Sequence, residues 1–127
     1  MMQKKIEVQG MDGPLLDLWV ARAEGRELSR YYPEPDPVNG RYWLQLGISA
    51  SVEICPRYSA DWRVGGPIIE REFIELTHDR GWREDRTFGR VWQANCSGGW
   101  WDGDTPLIAA MRAFVASNFG PEVSHEP

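Results

Sequence analysis

The segment from Thr105 to Gly120 constrains the fold of this chain more than any other, because it contains the start, the buried face and the end of one helix. Thr105 can cap the helix, Pro106 suits its first turn, and Gly120-Pro121 ends it. Apolar side chains recur at helical spacing, which indicates a face that packs into a core. They are Leu107, Ile108, Met111, Phe114, Val115 and Phe119. Small residues, Ala109, Ala113 and Ala116, cover the opposite side. We therefore predict a helix over residues 106–119.

A second helical pattern follows Asp12, where Asp12 or Gly13 can act as the cap, Pro14 suits the first turn and Gly25 the end. Apolar residues again recur with the helical period and should face the core. They are Leu15, Leu16, Trp19, Val20 and Ala23. Asp17 and Glu24 fall on the opposite side. The sequence thus predicts one amphipathic helix near each end of the chain.

Strand signals lie between the two helices. Every even position from residue 42 to residue 54 is apolar, a period of two that predicts a strand, and Gly47 should split it by a bend or turn. Two further strands are predicted over residues 73–77 and 87–96. Residues 3–9 alternate over a short stretch and predict an edge strand or a loose start.

Loops are predicted where glycine, proline and charged residues cluster. Prolines at positions 33, 35 and 37 exclude a helix there and mark a linker that ends at Asn39-Gly40. Residues 56–66, 78–86 and 97–104 are also predicted to be loops, and Pro67 can open a short helical turn that reaches Arg71.

This order of elements predicts the α+β class, with an antiparallel sheet of three to five strands packed by an N-terminal and a C-terminal helix in a two-layer sandwich. A length of 127 residues indicates one domain over residues 1–127. We expect an ordered core over about residues 11–121 and a frayed tail over residues 122–127. The same order superficially matches double-stranded-RNA-binding domains, but the chain lacks the basic helix face that they use.

Charge and composition limit the classes of function. A net charge of −5 opposes non-specific binding to nucleic acid, which requires clustered Lys and Arg. No leading segment reads as a signal peptide and no apolar run reaches the length of a membrane span, so we expect a cytoplasmic protein without membrane contact. Two cysteines do not form the disulfide framework of a small secreted domain.

Metal sites have weak support. Cys55, Cys96 and His78 would have to be gathered from distant positions, so buried free thiols are the preferred interpretation. The carboxylates of Asp102 and Asp104 could bind a divalent cation, but they also suit the positive end of the last helix. We predict no metal ion and no cofactor.

No catalytic constellation can be argued. His78 falls in a charged loop and His125 in the tail, so neither is placed as a general base. Four arginines surround Trp82, at positions 80, 83, 86 and 90, which is typical of a nucleic-acid patch. Acidic residues at positions 79, 84 and 85 interrupt the patch, and we interpret the segment as a solvated loop.

Arg112 borders the apolar face of the last helix and should gain from a carboxylate partner. Glu70 and Asp61 are the natural candidates, in a cluster that also holds Tyr58 and Trp62. We expect such a pair to hold the segment 65–67 on the last helix; an anionic ligand held by Arg112 is the alternative.

Three tryptophans, Trp82, Trp100 and Trp101, lie in predicted loops. Some of them should be exposed, and exposed aromatic side chains are frequent anchors of protein interfaces. The alternative is that all three fold back over the sheet.

Several segments resemble the NinX-like family of small proteins from tailed phages and bacterial prophages. These are residues 58–62 (YSADW), 65–72 (GGPIIERE), 92–94 (WQA) and 105–112 (TPLIAAMR), together with 15–25 (LLDLWVARAEG), which resembles the family's opening helix. The resemblance covers most of residues 11–123. It implies a phage or prophage gene product in the bacterial cytoplasm, whose relatives are often encoded among early genes near recombination and replication functions. The family has no established catalytic residues to carry over.

Together these features predict a non-enzymatic accessory protein that binds an unknown host or phage protein as a monomer or weak homodimer. A small-anion or nucleotide-binding protein or enzyme that uses Arg112 is the first alternative. A nucleic-acid-associated protein is the second alternative.

Overall fold

The computed structural model of the chain describes residues 4–124, and His125 therefore lies outside the described residues. Three helices and seven short strands occur in this part of the chain. The helices are α1 (Gly13–Ala23), α2 (Trp62–Arg71) and α3 (Pro106–Phe119), and a 3₁₀ turn spans Val8–Gly10. The strands are β1 (Lys5–Glu7), β2 (Trp43–Gln45), β3 (Val52–Ile54), β4 (Glu75–Trp82), β5 (Phe88–Asn95), β6 (Trp100–Gly103) and β7 (Glu122–Ser124).

Helix α3 has the boundaries that the sequence predicts. The hydroxyl oxygen of Thr105 accepts a hydrogen bond from the Ile108 amide at 3.1 Å, which satisfies one of the free donors at the helix start. Gly120 ends the helix with φ +88°, a left-handed conformation that favours glycine. Cap and stop are therefore both encoded locally.

Helix α3 is buried on all sides over residues 109–115 and forms the centre of the fold. Strands β5 and β6 pack on one side of it, and α1 and α2 pack against it elsewhere. The alanines at 109 and 113 are fully buried, because small side chains let neighbouring elements approach the helix closely. A methyl group added at Gly103 of β6 would lie 2.5 Å from the Ala109 amide nitrogen. The side of α3 that carries Ala109 and Ala113, predicted to lie opposite the core-facing side, is thus buried in the core as well.

Helix α1 packs on α3, and this changes the predicted architecture. Trp19 of α1 meets Phe119 of α3 edge to face, with ring centroids 5.2 Å apart. Trp19, Met111 and Phe114 are all buried, as a shared apolar interior requires. The helical period places Asp17 on the polar side of α1, but Asp17 is buried as well. The loop before α2 covers it, and the Ser59 amide of that loop donates a hydrogen bond to the Asp17 carboxylate.

The strands form three small antiparallel sheets, so the α+β class is confirmed but the single two-layer sandwich is not. Sheet pairs are β1–β7 and β2–β3, and the third sheet has the order β4–β5–β6. The turn expected near Gly47 separates β2 from β3, and Gly47 has φ +63°. Residues 122–124, expected to fray, instead pair with β1.

Three predicted boundaries are wrong. Helix α2 begins at Trp62 instead of Pro67, because Asp61 caps it by accepting a hydrogen bond from the Arg63 amide. Strand β4 continues through Trp82, so residues 78–82 are not a loop. Residues 100–103 form β6 despite their glycine-rich surroundings, since they pair with β5 along its second edge.

No helix in the described part of the chain combines the length and the apolar character needed to cross a membrane.

Candidate functional site

The β4–β5 hairpin places aromatic and cationic side chains on one face. In its antiparallel register Trp82 lies opposite Phe88, Arg80 opposite Arg90, and His78 opposite Trp92. Side chains two residues apart in a strand share a face, so these six side chains lie on the same side of the hairpin. We call this set, His78, Arg80, Trp82, Phe88, Arg90 and Trp92, the hairpin surface.

Two large aromatic side chains of the hairpin surface are exposed next to each other. Trp82 is 72% exposed and Phe88 is 57% exposed. Their rings meet edge to face, with centroids 5.3 Å apart, a favourable geometry for an aromatic pair. Adjacent exposed aromatic side chains are typical of binding surfaces, because leaving them in water forgoes their burial energy. Trp82 and Phe88 therefore form a candidate anchor for a partner.

The positive charges of the hairpin surface are not neutralised by the acidic residues nearby in sequence. Arg80 and Arg90 are directly opposite, an arrangement of like charges that costs stability. The Nη1 group of Arg90 donates a hydrogen bond of 2.9 Å to Nδ1 of His78. Asp79 alternates with Arg80 and so belongs to the other face of β4. Counted along the sequence, the acidic residues nearly cancel the arginines, but those acidic residues do not lie on this face of the hairpin. The hairpin surface is therefore cationic.

The other two acidic residues have partners of their own within the hairpin turn. Asp85 accepts hydrogen bonds from the Thr87 hydroxyl and from the Thr87 amide, the latter at 2.9 Å, and these two hydrogen bonds, the hydroxyl's first, lower the pKa of the Asp85 carboxyl. The carboxylate of Glu84 lies against Arg112 of helix α3. Neither carboxylate is thus paired with Arg80 or Arg90.

Arg112 does not pair with Glu70 or Asp61, so the predicted ion pair that holds segment 65–67 on the last helix is wrong. Its side chain is completely buried. Nε donates to the Met11 carbonyl at 2.7 Å, and Nη1 donates to the Asp102 carbonyl at 2.8 Å. Nη2 lies 2.5 Å from Oε1 of Glu84, in an ion pair whose angles do not make it an aligned hydrogen bond.

Local geometry explains why the two expected carboxylates are elsewhere. Asp61 uses its carboxylate to cap α2, at 2.9 Å from the Arg63 amide nitrogen. Glu70 is exposed near the end of that helix. Arg112 consequently holds Met11, which directly follows the 3₁₀ turn, together with β6 and the hairpin turn, instead of segment 65–67. With no exposed surface and three protein partners, it is a structural residue and offers no opening for an anion.

The remaining sequence candidates do not converge on one site. Tyr58 is buried in the core, whereas Trp62 is exposed in the first turn of α2. Trp62 contributes to a shallow cavity with the first residues of α3. Trp100 is exposed and Trp101 is partly buried, on opposite faces of β6. Of the three tryptophans expected in loops, two are exposed, although all three lie in strands.

A cavity absent from the predictions made above lies beside the start of α1 and has a volume of about 350 Å³. We call it the Asp17 cavity. It is lined by Gly13, Pro14, Asp17, Asn39, Arg41, Arg57, Ser59 and Ala60. The one sequence signal for it is the position of Asp17 between Leu16 and Leu18, within an apolar run. An ionisable residue in such a run is either exposed on a polar face or buried with a partner.

Asp17 is only 4% exposed. Its Oδ1 atom accepts a hydrogen bond from the Ser59 amide at 2.8 Å. Burial raises the pKa of the Asp17 carboxyl above its ordinary value of 3.8, whereas hydrogen bonds from Ser59 and the positive charges of Arg57 and Arg41 act in the opposite direction. The cavity therefore contains a carboxyl group that is poorly solvated and close to two guanidinium groups.

The two cysteines are free and buried. Burial raises the pKa of the Cys55 thiol to about 12. Within residues 4–124 no three His, Cys, Asp or Glu side chains are grouped so that they could hold a metal ion. The carbonyl of Asp102, not its carboxylate, makes the contact to Arg112.

Fold and surface define a small α+β protein built around one central helix, with an aromatic and cationic hairpin at its surface. The family model described as "Bacteriophage P22, NinX" matches residues 7–118. Because this match covers most of the chain, the protein belongs to the bacteriophage P22 NinX family. The resemblance seen in the sequence is thereby confirmed, and membership supports a phage-encoded accessory protein.

One curated relative from a different source matches a short stretch. Maintenance of telomere capping protein 6 from Eremothecium gossypii is 40% identical over 57 residues. These residues make up 45% of this chain and 11% of that protein. The chain thus spans about a tenth of that relative's length, and we draw no function from it.

Proposed function

We propose that this protein is a non-enzymatic phage accessory protein that binds a host or phage protein through the hairpin surface. The observation that carries the proposal is the exposed, adjacent pair of Trp82 and Phe88. Trp is strongly enriched among the residues that supply most of the energy of protein interfaces. In this proposal the pair enters an apolar pocket of the partner.

The arginines determine the chemistry of the partner. Arg80 and Arg90 form the next cross-strand pair after Trp82 and Phe88 on the same face of the hairpin. A partner carboxylate between them would relieve their mutual repulsion and gain paired hydrogen bonds from a planar guanidinium group. The partner surface should therefore combine an apolar pocket with acidic residues around it.

Charge favours a protein partner over nucleic acid. The chain has a net charge of −5, and the hairpin turn next to the aromatic pair contains Glu84 and Asp85. Binding to a phosphate backbone draws its energy from several cationic contacts that release counterions. The four arginines of the hairpin, at positions 80, 83, 86 and 90, share it with acidic residues at positions 79, 84 and 85, so the excess of positive charge is small. Arg80 and Arg90 nevertheless suffice at the rim of a protein interface.

Affinity capture tests the proposal, with host cells taken after infection or prophage induction. The baits are the wild-type protein, the double variant Trp82→Ala/Phe88→Ala, and the matched control Tyr31→Ala. Tyr31 is 55% exposed in the proline-rich linker, so the control also removes an exposed aromatic side chain. We expect a host or phage protein that the wild type and the control retain and the double variant loses.

Two results would overturn the proposal. One is an identical set of retained proteins for the wild type and the double variant. The other is retention of DNA or RNA that salt disrupts and nuclease removes, which would assign the hairpin surface to nucleic acid. Circular dichroism of each bait shows that it is folded before the comparison is made.

A further inference from the structure

The Asp17 cavity combines cationic donors with a carboxyl group that they do not neutralise directly. Among the described residues, no ion pair within 4 Å joins Asp17 to Arg41 or Arg57. Both arginines nevertheless line the same cavity as Asp17. Open space therefore separates the positive and negative groups.

The two arginines have unused donors. Nη2 of Arg41 donates to the Cys55 carbonyl at 2.6 Å, whereas its Nη1 makes no hydrogen bond among the described residues and its Nε is buried away from solvent. The Arg57 side chain is exposed and makes no hydrogen bond or ion pair within residues 4–124. An arginine fork prefers the oxygens of a carboxylate or a phosphate. The donors thus suit an oxyanion.

Asp17 narrows the class of oxyanion. An anion with acceptor oxygens alone would be attracted by the arginines but repelled by an ionised Asp17. An oxyanion that keeps an acidic proton can donate its O–H to the carboxylate, while its charged oxygens face the guanidinium groups. Inorganic phosphate keeps such a proton at neutral pH, whereas sulfate does not.

We propose that the Asp17 cavity binds a phosphate group that retains an acidic O–H, with Arg41 and Arg57 on its charged oxygens and Asp17 accepting its proton in a hydrogen bond. No bond is made or broken in this binding. The volume of about 350 Å³ falls within the range of small-molecule sites and leaves room for a substituent on the phosphate. The hairpin surface takes no part in this site.

Isothermal titration calorimetry at constant ionic strength and neutral pH tests the proposal. The dissociation constants of inorganic phosphate, sulfate and glycerol phosphate are compared. We expect phosphate to bind at least about tenfold more tightly than sulfate, because one charge-assisted hydrogen bond is gained and one repulsion avoided. The glycerol phosphate arm distinguishes the two sources of the group. A monoester has lost most of its acidic O–H at neutral pH, because its second pKa is about 6. Glycerol phosphate should therefore bind more weakly than inorganic phosphate at neutral pH and gain on it as the pH falls toward about 6. Tighter binding of the ester at neutral pH would contradict Asp17 as the acceptor of an acidic O–H.

Two variants and one control assign the contacts. Arg57→Gln should weaken phosphate binding about ten- to hundredfold, because it removes a charge-assisted interaction. Asp17→Asn should reduce the preference for phosphate over sulfate, because an amide can donate to sulfate. Arg80→Gln makes the same charge change on β4 and should leave phosphate binding within about twofold.

The proposal is overturned if phosphate does not bind, if sulfate binds equally well to the wild type, or if Arg80→Gln weakens binding as much as Arg57→Gln does. Because Arg80 belongs to the hairpin surface and Arg57 does not, failure here leaves the proposed protein binding untouched. Failure of the capture experiment likewise leaves the phosphate titration unchanged.

Discussion

Arg112, fully buried in α3, lies 2.5 Å from the carboxylate of Glu84 in the turn of the β4–β5 hairpin. The same guanidinium group donates hydrogen bonds to the Met11 and Asp102 carbonyls. One side chain thus connects the central helix to three segments outside it, two of which, at Met11 and Glu84, are distant in sequence. The hairpin that carries Trp82 and Phe88 is tied to the core through its turn.

Substitution of Arg112 is expected to be severely destabilising. Arg112→Met keeps much of the side-chain volume but leaves the Met11 carbonyl without its donor and the Asp102 carbonyl with the Gln9 amide alone. We expect a loss of about 3–5 kcal/mol in the free energy of unfolding, measured by urea denaturation. Glu84→Gln keeps an acceptor beside the buried guanidinium but removes its counter-charge, and it should cost about 1–3 kcal/mol, less than Arg112→Met. Equal losses for the two variants would contradict the structural role of Arg112.

Gly103 permits the closest approach between β6 and α3. A methyl group there would lie 2.5 Å from the Ala109 amide nitrogen and 2.9 Å from the Ala109 Cα atom, and this backbone has little freedom to move away. Gly103→Ala should therefore destabilise the fold by about 1–3 kcal/mol in urea denaturation. Gly10→Ala is the control, since a methyl group at Gly10 has nothing within 4 Å. A loss no larger than that of the control would show that the contact is not tight.

The helices at the two ends of the chain could be predicted because their signals are local. Thr105, Pro106 and Gly120 encode the boundaries of α3 within the segment itself. The turn at Gly47 is predicted for the same reason, since a glycine interrupts a regular alternation. Such signals depend on backbone preference and period, which hold before any tertiary contact forms.

Elements that depend on tertiary contacts could not be predicted. Strand β6 exists because β5 offers a second edge for pairing. Gly65 is required in α2 because the Tyr58 carbonyl and the Leu107 side chain leave no space for a larger residue. The partners of Arg112 and the burial of Asp17 likewise follow from how the helices are arranged. The sequence predicts a loop over residues 78–86, where alternation carries no information, so it does not predict that these side chains share the face that forms the hairpin surface.

Asp17 should give the stability of the protein a distinct pH dependence. Because burial raises its pKa above 3.8, the folded protein holds the proton more tightly than the unfolded chain does. The contribution of Asp17 to the free energy of unfolding is therefore full below pH 3.8 and is lost as the pH rises through the folded-state pKa. Asp17→Asn removes this titration and keeps an acceptor for the Ser59 amide.

The measurement is urea denaturation of the wild type and Asp17→Asn at several pH values between about 4 and 7. The variant should gain stability relative to the wild type as the pH rises through this range. A wild type that instead gains on the variant would mean that the folded-state pKa of Asp17 is lowered.

Cys55 should be inert in the folded protein. Its thiol is buried, and burial raises its pKa to about 12, so very little reactive thiolate exists at pH 8. We expect alkylation by iodoacetamide only after unfolding in urea, with the modified residue identified by mass spectrometry. Rapid modification of Cys55 in native buffer would contradict its buried position.

The dissociation constant of the purified complex between this protein and its captured partner tests the central claim most directly. If Trp82 and Phe88 anchor the partner, Trp82→Ala/Phe88→Ala should weaken the complex at least about hundredfold, and Tyr31→Ala should leave the constant within about twofold. An unchanged dissociation constant for the double variant would contradict the assignment of the hairpin surface as the binding site.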